Sequence, residues 1–326
     1  MKEIKWGIIG CGDVTEVKSG PAFNLVPGSS VVAVMRRDAT KAEDYAKRHA
    51  IPKWYNDANR LIEDPEVNAI YVATPPDSHA SYAIQTMRAG KPVYVEKPMA
   101  RTGKECQEML KVSQETGMPL LVAYYRRALP YFLKVKELVD ERTIGELLSI
   151  NITLLWPPKP EELAGNAGWR VNADISGGGH FHDLASHQFD LLDFIFGPIV
   201  KAQGISCNRA GLYTAADTVS ASFMFENGLP GTGTWCFASP ELAHQEQAII
   251  LGTKGRITFS FFEANPVVLS LPSGEVTFAI EHPKHVQAPL IENVVKSLQG
   301  FETCVSTSAS AARASAILDS ICGNEL

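Results

Sequence analysis

Two histidines and two aspartates recur every three or four residues between positions 180 and 190, as His180, Asp183, His187 and Asp190. Apolar residues follow the same spacing at Phe181, Leu184, Ala185, Phe189, Leu192 and Ile195. This pattern predicts an amphipathic helix with a polar row beside its apolar face. An imidazole titrates near neutral pH, and a carboxylate can orient it. The stretch therefore predicts a proton-transfer site with Asp183 and His187 as its functional pair.

The polar row also allows a second interpretation. His180, Asp183 and His187 carry the imidazole and carboxylate groups that bind zinc. Cysteines and histidines elsewhere in the sequence form no cluster that would supply a further ligand, so we favour proton transfer and expect no metal. His182 lies on neither face of the helix, and we interpret it as a capped or solvated residue.

Composition narrows the class of protein. A chain of 326 residues with 45% hydrophobic and 20% charged residues is expected to be soluble and to form two domains. A net charge of −6 and the lack of a basic run argue against nucleic acid as a partner. The short apolar run near the N-terminus predicts neither a signal peptide nor a membrane span. Six cysteines without paired spacing indicate reduced thiols and a cytoplasmic location.

A glycine-rich turn follows the first apolar run. Gly10-Cys11-Gly12-Asp13-Val14-Thr15 comes directly after Ile4–Ile9, in the pattern Gly-x-Gly-x-x-Thr. Such glycines let the backbone approach a pyrophosphate at a helix N-terminus. The alternative is a simple strand, turn and helix. The second strand ends about twenty residues later, where dinucleotide-binding folds place their ribose-reading residue, and this spacing favours cofactor binding.

The end of the second strand indicates which cofactor is preferred. An acid is usual there in proteins that prefer NAD, but this chain has Met35-Arg36-Arg37-Asp38. A guanidinium group cannot accept a hydrogen bond from a ribose hydroxyl, but it pairs well with a 2′-phosphate. We therefore predict NADP rather than NAD. The alternative is that Arg36 and Arg37 are solvated and that Asp38 begins the next helix.

Strand and helix patterns alternate through residues 1–123. This alternation predicts an α/β domain with a doubly wound parallel sheet of the Rossmann type, which binds ligands beyond the carboxyl ends of its strands. The glycine turn, Thr74-Pro75 and Glu96-Lys97 all follow predicted strands. They should therefore line one crevice, where Lys97 is placed to hydrogen-bond a substrate oxygen or to move a proton.

Residues 124–326 show a different pattern of predicted strands and helices. Alternating strands punctuated by turns, with the helix of residues 180–195 among them, predict an α+β domain with a large, mostly antiparallel open sheet. One face of the sheet would pack on that helix. Covering the other face by self-association predicts a homodimer or homotetramer.

With these motifs in place, the chain resembles the Gfo/Idh/MocA family, named for glucose-fructose oxidoreductase and inositol dehydrogenase. The resemblance covers essentially the whole length. It rests on Ala73-Thr74-Pro75-Pro76-x-x-His79, Glu96-Lys97-Pro98, Trp169-Arg170, Gly177-Gly178-Gly179 before Asp183 and His187, and His285-Val286-Gln287. The chain departs from the family at Asp77, where Asn is common, and at the missing acid after the second strand.

The resemblance implies an oxidoreductase that uses NAD or NADP on a hydroxyl or carbonyl group of a sugar, polyol or related small molecule. It implies that Lys97, Asp183 and His187 are catalytic. The expected substrate contacts are Lys97, Tyr125, Trp169, Asp183 and His187. The expected cofactor contacts are Gly10, Gly12, Asp13, Val14, Arg36, Arg37, Thr74, Pro75, His79, Glu96, Lys97, Trp169 and Arg170. Two alternatives stay open: a lyase or glycosidase that retains its cofactor without net redox change, and a non-catalytic sensor that binds the cofactor.

Overall fold

The computed structural model describes residues 2–323, which divide into two compact units. Within the described residues, the first unit comprises residues 2–129 and 283–312, and the second comprises residues 130–282 and 313–323. The division of the chain into domains 1–123 and 124–326 stays a prediction. No sequence pattern indicated that residues 283–312 would group with the first unit.

The first unit is built on a sheet of six parallel strands. Its spatial order is β3-β2-β1-β4-β5-β6, which is the strand order of a dinucleotide-binding doubly wound fold. The strands are β1 Ile4–Ile9, β2 Ser29–Met35, β3 Lys53–Tyr55, β4 Ala69–Val72, β5 Val93–Val95 and β6 Leu120–Val122. The predicted Rossmann-type fold is confirmed.

Helices connect these strands, and three of the described ones begin at a capping side chain. Asp38 accepts a hydrogen bond from the amide of Lys41, and Thr102 accepts one from the amide of Glu105, so each satisfies an open donor in a first helical turn. The helices of this unit are α1 Asp13–Val17, α2 Gly20–Phe23, α3 Ala39–Arg48, α4 Ala58–Glu63, α5 His79–Arg88, α6 Gly103–Thr116 and α11 Ala288–Gln299. Buried apolar side chains from strands and helices form one core between them.

The second unit contains an eight-stranded, mostly antiparallel sheet. Its order is β14-β13-β12-β11-β7-β10-β9-β8. Among the described strands of this second sheet, only the β7–β10 pair is parallel. The strands are β7 Leu147–Leu155, β8 Ile199–Cys207, β9 Thr218–Phe225, β10 Pro230–Cys236, β11 Gln245–Gly252, β12 Arg256–Phe259, β13 Val267–Leu271 and β14 Gly274–Phe278. This agrees with the predicted α+β class, although sequence patterns missed β3 and β8.

The long helix of the second unit packs across the centre of this sheet. The helices assigned here are α7 Pro130–Asp140, α8 Pro160–Leu163, α9 Ala173–Ser176 and α10 Gly179–Phe196, while α12 Ser308–Cys322 begins among residues of the first unit. Phe181 and Phe189 of α10 lie 5.1 and 5.8 Å, between ring centroids, from Trp235 on β10. The Trp235 indole N–H donates to Gln188 at 2.6 Å. Aromatic packing and one buried hydrogen bond thus fix the helix on the sheet.

Within residues 2–323, none of the helices is both long enough and apolar enough to cross a membrane.

Candidate active site

The glycine turn between β1 and α1 has the backbone that its sequence predicts. Gly10 has a φ of +95°, and a Cβ there would lie 2.7 Å from the Thr74 methyl group, so only glycine fits. A Cβ on Gly12 would have no atom within 4 Å, which leaves its backbone open to a ligand. Asp13 is exposed and Val14 is half-buried at the start of α1. The turn therefore fits the phosphates of a dinucleotide.

Two side chains from α3 hold the helix that follows this turn. The guanidinium group of Arg48 donates to both carboxylate oxygens of Glu16, at 2.7 and 2.9 Å, and His49 lies 2.7 Å from the same carboxylate. The hydrogen bonds from Arg48 lower the pKa of Glu16 to about 2, and His49 acts in the same direction. The carboxylate is therefore ionised at neutral pH and links α1 to α3.

The two arginines after β2 have different surroundings. Arg36 is half-buried and donates to the carbonyl oxygen of Cys11 at 3.2 Å, which places its guanidinium group at the glycine turn. Arg37 is exposed. Asp38 caps α3, as the alternative interpretation expected.

The loop after β4 lies beside the glycine turn. The buried side chain of His79 holds this loop in place. The imidazole is fully buried, with Nε2 2.7 Å from the Thr74 carbonyl oxygen and Nδ1 2.9 Å from that of Pro98. Burial lowers the pKa of the ring, although the two carbonyl groups oppose this. Thr74 and Pro75 are half-buried at the strand end. His79 thus ties two loops together from the interior, whereas the sequence predicted a cofactor contact.

Lys97 follows β5 on a backbone that a buried carboxylate holds in place. The Glu96 side chain accepts hydrogen bonds from the Tyr71 hydroxyl at 2.5 Å, from Gln287 Nε2 at 2.6 Å and from the Lys97 amide at 3.2 Å. Burial and the nearby carboxylate raise the pKa of Tyr71, so the phenol stays protonated and donates. Lys97 itself is half-buried, and the Lys97–Pro98 peptide bond is cis.

Gln287 belongs to a short segment that spans two parts of this group. Its amide donates to the Lys18 carbonyl oxygen at 3.3 Å, just beyond α1, while its side chain reaches Glu96. His285 Nδ1 lies 2.6 Å from the Val17 carbonyl oxygen. The segment therefore joins the end of the glycine-turn helix to the Glu96-Lys97 turn. Sequence reasoning noted the motif but assigned no role to Gln287.

In the second unit, Asp183 and His187 lie one turn apart on α10. Asp183 is 3.8 Å from Nε of Arg170, and the Arg170 guanidinium group lies over the Trp169 ring at 4.6 Å. The Asp183 side chain keeps 21% of its surface exposed, whereas the whole His187 residue is only 3% exposed. A buried imidazole beside a partly exposed carboxylate can exchange a proton with a bound hydroxyl group.

The first histidine of the predicted row pairs with a residue outside the row. His180 Nε2 lies 2.7 Å from Glu162, and both side chains are buried. The other Glu162 oxygen accepts from the Lys159 amide at 3.0 Å, so this pair connects α8 to the start of α10. Asp190 is 1% exposed. Among the described residues, no group of three His, Cys, Asp or Glu side chains is arranged to hold a metal ion.

His182 corrects one interpretation from the sequence. It is not solvated, because only 4% of the residue is exposed. The ring packs against Gly178, where a Cβ would lie 2.0 Å from Nδ1. Burial lowers the pKa of His182 to about 4. The error arose because α10 is covered on more sides than a two-face pattern implies.

Tyr125 is a predicted substrate contact in the first unit. It is 9% exposed, and its hydroxyl accepts a hydrogen bond from Arg126 at 2.9 Å.

The structure gathers Gly10, Gly12, Arg36, Thr74, Glu96 and Lys97 at the carboxyl edge of the first sheet. It gathers Trp169, Arg170 and Asp183 near the start of α10, with His187 one turn further along.

Comparison with known proteins identifies the class. Residues 4–124 match the family described as the oxidoreductase family with an NAD-binding Rossmann fold, and residues 132–258 match the GFO/IDH/MocA C-terminal domain. Oxidoreductase P35 of Formosa agariphila is 38% identical over 98% of both chains. Mouse trans-1,2-dihydrobenzene-1,2-diol dehydrogenase is 30% identical over 77% of this chain and 73% of its own.

Solved structures agree on the fold. Levoglucosan dehydrogenase in complex with NADH and levoglucosan has a TM-score of 0.86 at 22% identity, covering 99% of this chain and 97% of its own. The chain belongs to the Gfo/Idh/MocA oxidoreductase family. It is an NAD(P)-dependent oxidoreductase.

Proposed function

We propose that this enzyme transfers a hydride between a nicotinamide and a hydroxyl or carbonyl carbon of a sugar, polyol or related small molecule. The observation that carries the proposal is the Glu96-Lys97 turn at the carboxyl end of β5. A buried carboxylate with three donors fixes the Lys97 backbone, as a residue that must meet a reacting oxygen requires. Relatives named as dihydrodiol dehydrogenase and 1,5-anhydro-D-fructose reductase support the substrate class.

The residues of the chain have separate roles in this proposal. His187 removes the proton of the substrate hydroxyl, and Asp183 orients His187 from one turn earlier on α10. The Lys97 ammonium group hydrogen-bonds the same oxygen and stabilises its developing negative charge. When bound, the nicotinamide supplies or accepts the hydride. In the reducing direction Lys97 or His187 returns the proton. Tyr125 and Trp169 are proposed to contact the substrate.

A direct assay tests these roles. Sugars, polyols and keto-sugars are assayed in both directions with NAD and NADP, by following the absorbance of the reduced nicotinamide. Lys97→Ala and His187→Ala should each lower kcat/KM by about a hundredfold or more, because a positioned acid or base contributes at least this much. Lys104→Ala, which removes another lysine from the same unit, is the control and should leave the rate unchanged.

Two results would contradict the proposal. If both variants kept turnover within a few fold of wild type, the residue assignment would be wrong. If substrate were consumed while bound nicotinamide showed no net change, a redox-neutral lyase or glycosidase would replace the dehydrogenase.

We also propose that NADP is preferred over NAD. The chain has no acid at the end of β2, and Arg36 lies at the glycine turn with Arg37 exposed beside it. A 2′-phosphate would gain charge-assisted hydrogen bonds from these guanidinium groups. The remaining predicted cofactor contacts, including Asp13, Val14, Trp169 and Arg170, belong to the same proposal.

Cofactor affinities test this preference. Dissociation constants for NADPH and NADH are measured by titration of protein fluorescence. Arg36→Ala and Arg37→Ala should each weaken NADPH about tenfold and leave NADH nearly unchanged, because one charge-assisted contact is lost. Lys41→Ala, an exposed cation on α3, should change neither constant. Equal affinities in the wild type, or tighter NADH, would exclude the preference.

Two further observations support proposals about the location and the oligomeric state of the protein. Among residues 2–323, none of the six cysteines forms a disulfide, which supports the proposal of a cytoplasmic location. The outer face of the second sheet carries exposed Ile205 and Met224, which supports a homodimer or homotetramer formed through that face.

A further inference from the structure

The end of the second sheet nearest His187 carries a row of aromatic rings. The Phe262 ring lies 6.3 Å from the His187 ring, centroid to centroid, at an interplanar angle of 65°. The Trp156 ring lies 5.6 Å from the Phe262 ring, centroid to centroid, at 66°. Trp156 and Phe262 are each half-buried. The row of Trp156, Phe262 and His187 thus leads an apolar surface up to the imidazole.

A buried carboxylate fixes the backbone that carries Phe262. Glu246 on β11 accepts hydrogen bonds from three consecutive amides, those of Phe261 at 2.7 Å, Phe262 at 3.1 Å and Glu263 at 3.1 Å. The residue is 4% exposed. A carboxylate that accepts hydrogen bonds from three successive amides of a turn restrains the backbone of that turn. The turn that bears Phe262 is therefore rigid for a loop.

Further contacts restrain the same turn from the opposite direction. The Ser260 amide donates to the Tyr131 hydroxyl at 3.0 Å, and the Ser260 hydroxyl donates to the Glu246 carbonyl oxygen at 3.0 Å. Asn265 donates to the Ser260 hydroxyl at 3.0 Å. This degree of fixation exceeds what a surface phenylalanine needs. It suits an aromatic ring that must keep one position relative to His187.

We infer that Phe262, held by Glu246, is a specificity-determining residue that stacks on the apolar face of a ring-shaped substrate. The inference rests on the proposed role of His187. The C–H face of a pyranose or cyclic diol presents a flat apolar surface that an aromatic ring covers well, whereas an open-chain polyol presents none of fixed shape. The substrate class is therefore a cyclic polyol or anhydro-sugar, bound with its reacting hydroxyl towards His187.

Two probes that share one carbon skeleton differ in whether that skeleton is closed into a ring. 1,5-Anhydro-D-glucitol contains the pyranose ring, and D-glucitol is its open-chain counterpart. Dissociation constants for both are measured by calorimetry on the full-length protein saturated with NADP. The wild type should bind the ring form at least tenfold more tightly, because the free chain pays more rotational entropy and has no flat face to stack.

Three variants test the residue. Phe262→Leu keeps apolar volume but removes the aromatic face, and should weaken the ring form about tenfold while leaving D-glucitol within about twofold. Phe262→Tyr keeps the face and should bind both probes as the wild type does. Glu246→Gln should shift the ratio of the two constants in the same direction as Phe262→Leu. A merely structural role for Glu246 would weaken both probes equally.

The outcomes separate this inference from the proposed function. Equal binding of the two probes by the wild type, or an unchanged ratio in Phe262→Leu with unaltered thermal unfolding, would overturn the inference. Ring-selective binding that depends on Phe262 but is accompanied by no Lys97-dependent turnover would support the inference and contradict the hydride-transfer proposal. Turnover that depends on Lys97 but is unchanged by substitution of Phe262 would support the hydride-transfer proposal and contradict the inference.

Discussion

Glu96 illustrates how much of this active site is made by residues that need not touch the substrate. Its carboxylate is buried and has three donors, one of which is the amide of Lys97. A buried carboxyl group is tolerable in such a position only while its hydrogen bonds are intact. The position of Lys97 therefore depends on Tyr71 and Gln287 as well as on its own backbone.

Gln287 gives a residue-scale prediction. Gln287→Leu removes the donor at 2.6 Å from Glu96 and leaves the carboxylate with one side-chain partner fewer. The free energy of unfolding should fall by about 1–3 kcal/mol, the usual result of depriving a buried acceptor of its partner. Turnover should fall about tenfold or more because Lys97 is displaced. Chemical denaturation and steady-state kinetics measure the two effects.

The matched control is Gln299→Leu, the same substitution at the other end of α11, where the side chain donates to the Lys2 carbonyl oxygen in an exposed position. It should change turnover little. A Gln287→Leu enzyme with wild-type kcat would mean that Lys97 keeps its position without this bond.

At the scale of the element, α10 combines the proposed catalytic groups with an interior position. Sequence periodicity assigned it one apolar face and one polar row, but nearly all of its residues are buried. Each polar residue along it therefore has its own surroundings: His180 pairs with Glu162, Asp183 faces Arg170, and Gln188 accepts from Trp235. Burial of an ionisable group inside such a helix makes its stability depend on pH.

His182 sets the direction of this dependence. Its folded pKa of about 4 lies below the ordinary value of 6.5, so the unfolded chain binds a proton that the folded helix excludes. The free energy of unfolding should therefore fall as the pH decreases from about 6.5 to about 4. At pH 5.5 the loss should be about 1 kcal/mol relative to neutral pH. Urea unfolding across this range measures it.

His182→Leu should flatten this decline, because leucine does not titrate. His244→Leu, at a side chain that is 40% exposed, should retain it. An equally steep decline in His182→Leu would assign the acid sensitivity to other groups.

At the scale of the whole molecule, the second sheet has two unlike faces. Phe223, Phe225 and Trp235 turn towards α10, whereas Ile205 is 75% exposed and Met224 is 40% exposed on the opposite face. Ser220, Ser222 and Thr232 lie between such apolar residues. A broad sheet face of this mixed character is suited to association with a second copy.

A charge on this face should break the association. Light scattering after gel filtration should give a dimer or tetramer for the wild type, and Ile205→Glu with Met224→Glu should shift it towards the monomer, because two carboxylates would be buried at the interface. Leu242→Glu is the control, since Leu242 is 94% exposed in the turn of residues 241–243. A monomeric wild type would reject the proposal.

Local patterns in the sequence sufficed for the class of each part of the molecule. Period-two and period-three-to-four apolar spacing predicted most strands and helices, because burial of one face imposes that spacing on the chain itself. The glycines of the first turn and the Glu-Lys-Pro motif were recognisable for a similar reason. Each lies within a few consecutive residues, so it can be read from the sequence although distant residues hold it in place.

Tertiary structure alone decided which side chains surround each functional residue. Gln287 meets Glu96 across 191 positions in the sequence, Glu162 meets His180 across 18, and Phe262 meets His187 from the turn after β12. Nothing in the local spacing encodes such pairs, because they form only when separate elements pack. His182 shows the same limit, since its burial and lowered pKa come from what packs around α10. The sequence determined the chemistry available to this protein, and the packing of distant segments determined how that chemistry is held.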